Sequence, residues 1–308
     1  MTDVVSELLG ATSPTITETV TESTPVGEVT PTPAPETVTP ETTAETVTDT
    51  DYAKAAIEAD AILEKLMSRI TDPADVAYRK MMLYAPFGTG KTVFCATAPD
   101  CLIVRVEPTG TLSLMNHPEL KAKTFEYLSV TQLEILLNKM IEKPEAFPFK
   151  TLAIDSFSAL QKDDLDAIVR AESAKDANRN PFLPTGPDYN VNTEHMRQIG
   201  VLLSRLKMHV IVTCHVKETK DDTTGRVLIR PDLTPKLANT LAGQFDVVAY
   251  MSRADDGTRK LQTSPTATVL AKTRVGGLPD VIENPTWDNV FNAANANKAT
   301  PVAATTNA

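Results

Sequence analysis

The sequence is poor in cysteine, in aromatic residues and in long apolar runs. Only Cys95, Cys101 and Cys214 occur among 308 residues. An odd, widely spaced set makes neither a disulfide framework nor a zinc site, and reads as reduced thiols of a cytoplasmic protein. No stretch approaches the ~18 consecutive apolar residues of a membrane span. The first residues also lack the basic start and apolar core of a secretory leader, so no membrane partner is expected. Aromatic residues make up 5% of the chain, which leaves few rings for stacking on bases. Positive charge is missing from residues 1–50, which carry Asp3, Glu7, Glu18, Glu22, Glu28, Glu36, Glu41, Glu45 and Asp49 and no Lys or Arg. The formal net charge is −10, so this segment holds nearly all of it and the remainder is close to neutral. That balance argues against a strongly basic DNA-coating protein and leaves other nucleic-acid contacts open.

Residues 1–50 are dominated by Thr, Pro, Glu and Val, as in "TPTPAPETVTPETTAETVTDT". Without aromatic residues or a helical period they cannot bury enough apolar area to offset ordering entropy. A disordered acidic arm is expected, serving as an interaction segment or a solvated linker. The tail over 293–308, "AANANKATPVAATTNA", reads the same way. Between them, residues 51–72 place Ile62, Leu63, Leu66, Met67 and Ile70 on one helical face. Asp51 can cap that helix and Asp72-Pro73 can stop it, with the face packing on the core or on a neighbouring subunit.

Residues 73–292 form the expected folded domain. Short apolar runs alternate with helical patterns: "KMMLYA", "CLIVRVE", "KTFEYLSV", "KTLAIDS" and "HVIVTCH" as strands, with helices over Lys91–Ala98, "TQLEILLNKMIEK", Phe157 to about Ser173 and "NTEHMRQIGVLLSRLKM". Such alternation implies an α/β fold with a parallel sheet covered by helices on both faces. After His215 the pattern changes. Hairpins are expected with turns at 222–225 and 256–257, followed by a strand in "TATVLAKTR", an antiparallel extension.

The segment "APFGTGKT", residues 85–92, nearly matches the phosphate-binding pattern G-x-x-x-x-G-K-[ST], with Ala85 where the first glycine stands. Gly88, Thr89, Gly90, Lys91 and Thr92 are the candidate nucleotide-binding residues. Backbone N–H groups cradle phosphates, Lys91 supplies a point charge, and the Thr92 hydroxyl can hold Mg²⁺. Ala85 is tolerable there if its φ is negative. Asp155, closing the buried run "TLAID", is a second candidate ligand for Mg²⁺ in the manner of a Walker B strand, with Ser156 assisting. Glu107, ending "CLIVRVE", can orient and polarise a water at the γ-phosphate; the alternative is a solvated strand end. His215, ending "HVIVTCH", stands where a side chain can sense the γ-phosphate, with Thr213 as second candidate. Lys272 and Arg274 in "AKTRVGGLP" face one side of a strand. They read as finger residues reaching a neighbour's nucleotide, or as a solvated basic edge.

In this order, "LYAPFGTGKT", "CLIVRVE", "TLAIDSFSAL", "DYNVNTEHMRQIGVLLSRLKMHVIVTCH", "GQFDVVAYM" and "AKTRVGGLP" resemble the RecA-like ATPases, most of all phage-encoded P-loop ATPases of the RecA/AAA type linked to single-strand annealing and recombination. The likeness spans about residues 78–290. It implies ATP and Mg²⁺ as cofactors and a homo-oligomer. It also implies phosphate binding by Gly88 to Thr92, metal coordination by Asp155, water activation by Glu107, a sensor role for His215, and trans-acting fingers at Lys272 and Arg274. It further implies action on single-stranded DNA, alongside a single-strand-binding or other recombination protein. Candidate DNA contacts are Lys217, Lys220, Arg226 and Arg230 on the first hairpin, and Lys175, Arg179 and Phe182 in the loop before Tyr189. The alternative is a nucleotide-gated assembly or scaffold protein with little hydrolysis. The acidic arm has no counterpart in the family pattern.

Overall fold

The computed structural model describes residues 49–68, 70, 78–176 and 178–291. The expected acidic arm up to residue 48, the Asp72-Pro73 stop and the tail over 293–308 lie outside them. The chain divides into two units, Met1–Ile70 and Thr71–Ala308. In the first, helix α1 runs from Asp49 to Met67, and Ile62, Leu63, Leu66 and Met67 are each more than half exposed on it.

The second unit is built on one sheet. Its parallel strands are β1 (Lys80–Tyr84), β2 (Cys101–Arg105), β3 (Lys123–Glu126), β4 (Thr151–Asp155), β5 (His209–Cys214) and β8 (Val247–Arg253). They lie side by side in the order β8-β1-β5-β4-β2-β3. Within this sheet the antiparallel strands lie at the β8 edge. There β9 (Arg259–Gln262) and the two-residue β10 (Lys272–Thr273) each run antiparallel to β8, and β11 (Val281–Glu283) pairs with β9. A separate hairpin joins β6 (Val216–Lys220) to β7 (Val227–Pro231). The strand expected across 266–274 is therefore reduced to β10 plus one parallel bridge from Val269 to Ile229.

Strand alternation divides the core into two layers. Met82, Tyr84, Val104, Ile154 and Val212 face one side, packed under α3 (Val130–Glu142), α4 (Phe157–Lys175), α5 (Gly186–Arg205) and α6 (Pro235–Gln244). Met81, Leu83, Ile103, Ala153 and Ile211 face the other, under Phe94 and Cys95 of α2 (Lys91–Ala96) and the terminal Trp287, Val290 and Phe291. Burial pushes the thiols of Cys101 and Cys214 up to about 12, and that of Cys95 well above its ordinary range. All three are packing residues.

Helix α5 starts at Gly186, six residues before the expected "NTEHM" pattern begins at Asn192. Its start is fixed by Thr185, whose backbone N–H donates to Asp188 Oδ2 at 2.7 Å, with Pro187 in the first turn. Arg179 also pairs with the buried Asp188 carboxylate. These bonds hold Asp188 below the usual carboxylate range, the backbone bond from Thr185 first. Arg179 thus helps close the loop before α5.

Candidate functional site

Parallel strands bring all their carboxyl ends to one edge, and the chain spends that edge on a cleft of about 360 Å³. Phe87, Gly88, Gly90, Lys91 and Thr92 of the loop line it together with Glu107, Asp155 and His215. Gly88 at φ 72° and Gly90 at φ 103° curl the loop in the left-handed region, where a Cβ is penalised. Ala85 is not among the residues of positive φ. Its methyl is fully buried in the core and its N–H donates to Cys214 O at 3.2 Å, so the missing glycine is not needed. Thr89 is buried, its hydroxyl donating to Pro86 O at 2.8 Å within the loop.

Lys91 is 8% exposed. Its Nζ donates to Ala85 O at 3.0 Å and Pro86 O at 3.1 Å and lies 5.6 Å from the centre of the Phe87 ring. Burial pushes this ammonium below its ordinary range, against the pull of Asp155 and Glu107. The Thr92 hydroxyl donates to Asp155 Oδ2 at 2.5 Å, while Thr213 Oγ1 donates to Asp155 Oδ1 at 2.5 Å. Thr213, considered as a sensor, is fully buried and instead orients Asp155. Thr92 and Asp155 form a pair of hard oxygen donors. Among the described residues no group of three or more His, Cys, Asp or Glu side chains is placed to hold a metal by itself. Mg²⁺ needs none: it keeps waters and takes phosphate oxygens with one or two protein oxygens, which this pair fits.

Beside this pair lies a second network. Ser156 Oγ donates to Glu107 Oε1 at 2.7 Å, and His215 Nε2 stands 2.9 Å from the same oxygen. A carboxylate only accepts, so the imidazole hydrogen belongs on Nε2. His215 Nδ1 is buried without a hydrogen-bond partner among the described residues, and the ring stacks on Phe87 at 4.4 Å between centroids. The backbone of His215 is held as well: its N–H donates to Ser158 Oγ at 3.0 Å, and its carbonyl accepts from Asp232 N–H at 2.8 Å just past β7.

The structure therefore gathers Gly88, Gly90, Lys91, Thr92, Glu107, Asp155 and His215 into one cleft, with Thr89 buried in the loop between them. It does not bring Lys272 and Arg274 to it. Lys272 Nζ donates to Ala242 O at 2.6 Å and Phe245 O at 3.0 Å, and Arg274 to Gly243 O at 2.8 Å, so both cations satisfy carbonyls at the carboxyl end of α6. Sequence reasoning missed Arg259, Phe87 and the Ser113, Asn116 and His117 side of the cleft. The last three come from a 3₁₀ segment, Gly110–Asn116, and the residue after it, whose apolar spacing gives no helical period. A phosphate loop, a strand-end carboxylate bonded to its threonine and a strand-end glutamate on one cleft are the working parts of a P-loop NTPase.

Residues 77–275 match the AAA domain family, which is well over half of the chain. The chain belongs to that family. The matched span runs from just before β1 through β10, so this AAA domain contains every element that shapes the cleft. No curated protein matches the sequence. An AAA-type P-loop domain implies nucleotide binding, and the matched span includes residues 88–92. Among the described residues no helix is long and apolar enough to cross a membrane.

Proposed function

We propose that this AAA domain is a Mg²⁺-dependent ATPase whose turnover is coupled to single-stranded DNA, as a cytoplasmic, phage-encoded recombination or replication protein acting as a homo-oligomer. One observation carries the coupling. Glu107, His215 and Phe87 form a wall shared by two clefts, the phosphate cleft and a neighbouring one of about 500 Å³. Tyr189 and Lys217 line the second cleft, an aromatic ring beside a cation, which is the chemistry that holds single strands. Lys217 stands directly opposite Arg230 on the β6–β7 hairpin, and Lys220 and Arg226 are exposed near its turn. That paired positive charge supports a phosphate-backbone contact. Phage origin, recombination and a protein partner such as a single-strand-binding protein are supported by the motif resemblance alone.

The chemistry assigned to the chain is positioning and charge stabilisation. Thr92 and Asp155 would hold Mg²⁺, which neutralises charge developing on the phosphates. Lys91 places its ammonium among the phosphate oxygens. Glu107 orients the attacking water and takes its proton. In the present arrangement Ser156 and His215 both bind Glu107 Oε1. A γ-phosphate oxygen competes for His215 Nε2–H. Its success frees Glu107 for water and moves a residue whose carbonyl is bonded to Asp232, at the foot of the hairpin. Single-turnover and steady-state hydrolysis, titrated with single- and double-stranded DNA, test this reading, with mass measurement in the presence and absence of nucleotide for the oligomer. Stimulation by single strands is expected. Binding of ATP without turnover under every DNA condition would support a nucleotide-gated scaffold instead.

A further inference from the structure

Among the residues on the phosphate cleft, Arg259 has a guanidinium with no ion pair or hydrogen bond among the described residues. It is half-buried, so it is not a freely solvated surface cation. Its backbone is fixed from both sides: its N–H donates to Asn284 Oδ1 at 3.2 Å, and its carbonyl accepts from Asn284 N–H at 2.6 Å. The guanidinium lies against the phosphate loop. A Cβ built on Gly90 would fall 2.9 Å from Arg259 Cζ and Nε, so the loop glycine leaves the space this side chain occupies.

The position follows from strand direction. Strand β9 is antiparallel to β8, so its first residue, not its last, reaches the edge where the parallel strands end. Arg259 is that first residue, and Arg253, the last of β8, is its cross-strand partner. Two like charges directly opposite one another are unfavourable unless an anion relieves them. Neither has an acidic partner among the described residues. The side of approach is also defined. Glu107, Asp155 and His215 come from or just after β2, β4 and β5, which lie on one side of β1, while β8 and β9 lie on the other.

We propose that Arg259 is a nucleotide-binding residue supplied by the chain's own β8–β9 hairpin. It contacts the α- and β-phosphates that ADP and ATP share, from the side opposite the γ-phosphate machinery. The inference deepens the nucleotide-binding reading and rests on it. In this arrangement the phosphate chain is held between two cations from different elements, Lys91 of α2 and Arg259 of β9. Arg259 therefore sets affinity for both nucleotides alike, without setting the preference between them.

Calorimetric titration of the full chain with ADP and with a non-hydrolysable ATP analogue decides the matter. Arg259→Ala should weaken both by about 10- to 100-fold, the loss expected for one hydrogen bond to a charged group. The ratio of the two affinities should stay within about twofold of that of the unaltered chain, and the nucleotide-free melting temperature should not change. Arg259→Gln keeps a side chain packed on Gly90 and should show the same loss, which guards against a folding defect in the alanine variant. Arg253→Ala should leave both affinities within about twofold, since its charge is near but not in contact. Unchanged affinities in both Arg259 variants overturn the assignment. Weakening confined to the ATP analogue also overturns it, by placing the guanidinium at the γ-phosphate. Equal losses in Arg253→Ala would reduce it to a diffuse field. If the unaltered chain binds neither nucleotide, the site reading itself fails; if it binds and Arg259 variants bind equally, only this inference does.

Discussion

The two ends of the central strands carry the same residue types and use them differently. At the amino ends stand Lys80 and His209, and at the carboxyl ends Lys91 and His215. Lys80 and Lys91 are both buried, both donate to two main-chain carbonyls, and both have their ammonium groups pushed down by burial, Lys80 to about 8. Yet Lys80 is closed over by the end of α5, bonding Leu206 O at 2.6 Å and Met208 O at 2.7 Å. Lys91 opens on a cleft with Asp155 and Glu107. Burial and a shifted ammonium therefore do not mark a site. Convergence of unlike groups on open space does, and parallel strand direction decides at which end that convergence occurs.

Substitutions at matched positions separate the two ends. The largest effect is expected at Lys91→Ala, which should lower ATP turnover by about 100- to 1000-fold, the scale for losing one charge-stabilising group. Melting temperature should change little, because the lost bonds to Ala85 O and Pro86 O are offset by relief of a desolvated ammonium. Near-normal turnover in that variant would remove the phosphate loop from the mechanism. Next comes Glu107→Gln. It should retain nucleotide binding and slow hydrolysis by about 100-fold or more, as expected for a lost general base. Equal single-turnover rates would return Glu107 to the status of a solvated strand end. At the opposite end, Lys80→Met should leave turnover intact and cost about 1–2 kcal/mol in urea unfolding. It strips the donor from two buried carbonyls but also relieves a desolvated charge. A turnover defect there, with stability unchanged, would break the distinction between the ends.

Much of this contrast was legible in the sequence, and the limits are physical. Alternation of apolar runs with helical periods sets strand direction, and once the strands are parallel Glu107, Asp155 and His215 must share an edge. Side-chain pairing across long separations has no such local signature. Thr213 is an alternate-position polar residue until Asp155 Oδ1 is found 2.5 Å away. Lys272 and Arg274 read as fingers toward a neighbour's nucleotide, and nothing local in the sequence shows that within the chain they bond carbonyls at the carboxyl end of α6. Arg259 carries no such cue because it begins a strand, whereas Glu107, Asp155 and His215 end or closely follow one; only the reversal of direction in β9 brings it to the same edge. The early start of α5 was readable in Thr185, Pro187 and Asp188, which carry the capping pattern, but lay ahead of the apolar period.

The smallest and most specific difference is in the two histidines, and it is readable through pH. His209 Nδ1 accepts the Arg79 backbone N–H at 3.0 Å, which only an unprotonated nitrogen can do. Burial first, then the Lys80 and Arg79 charges, hold its pKa at about 4. The unfolded value is near 6.5. Above that pH both states are neutral at this residue and its contribution to stability is complete. Below it the unfolded chain takes up a proton that the folded chain refuses, so stability falls as pH drops from about 6.5 to about 4 and then levels. His209→Asn keeps a side-chain acceptor near the Arg79 N–H and removes the titration. It should be less stable at neutral pH, because the ring contact with Trp287 at 4.9 Å is lost, but its urea midpoint should drop less between pH 7.5 and 5. Equal drops in the two chains would assign the acid sensitivity elsewhere, and would leave His209 a packing residue whose charge state the fold does not control.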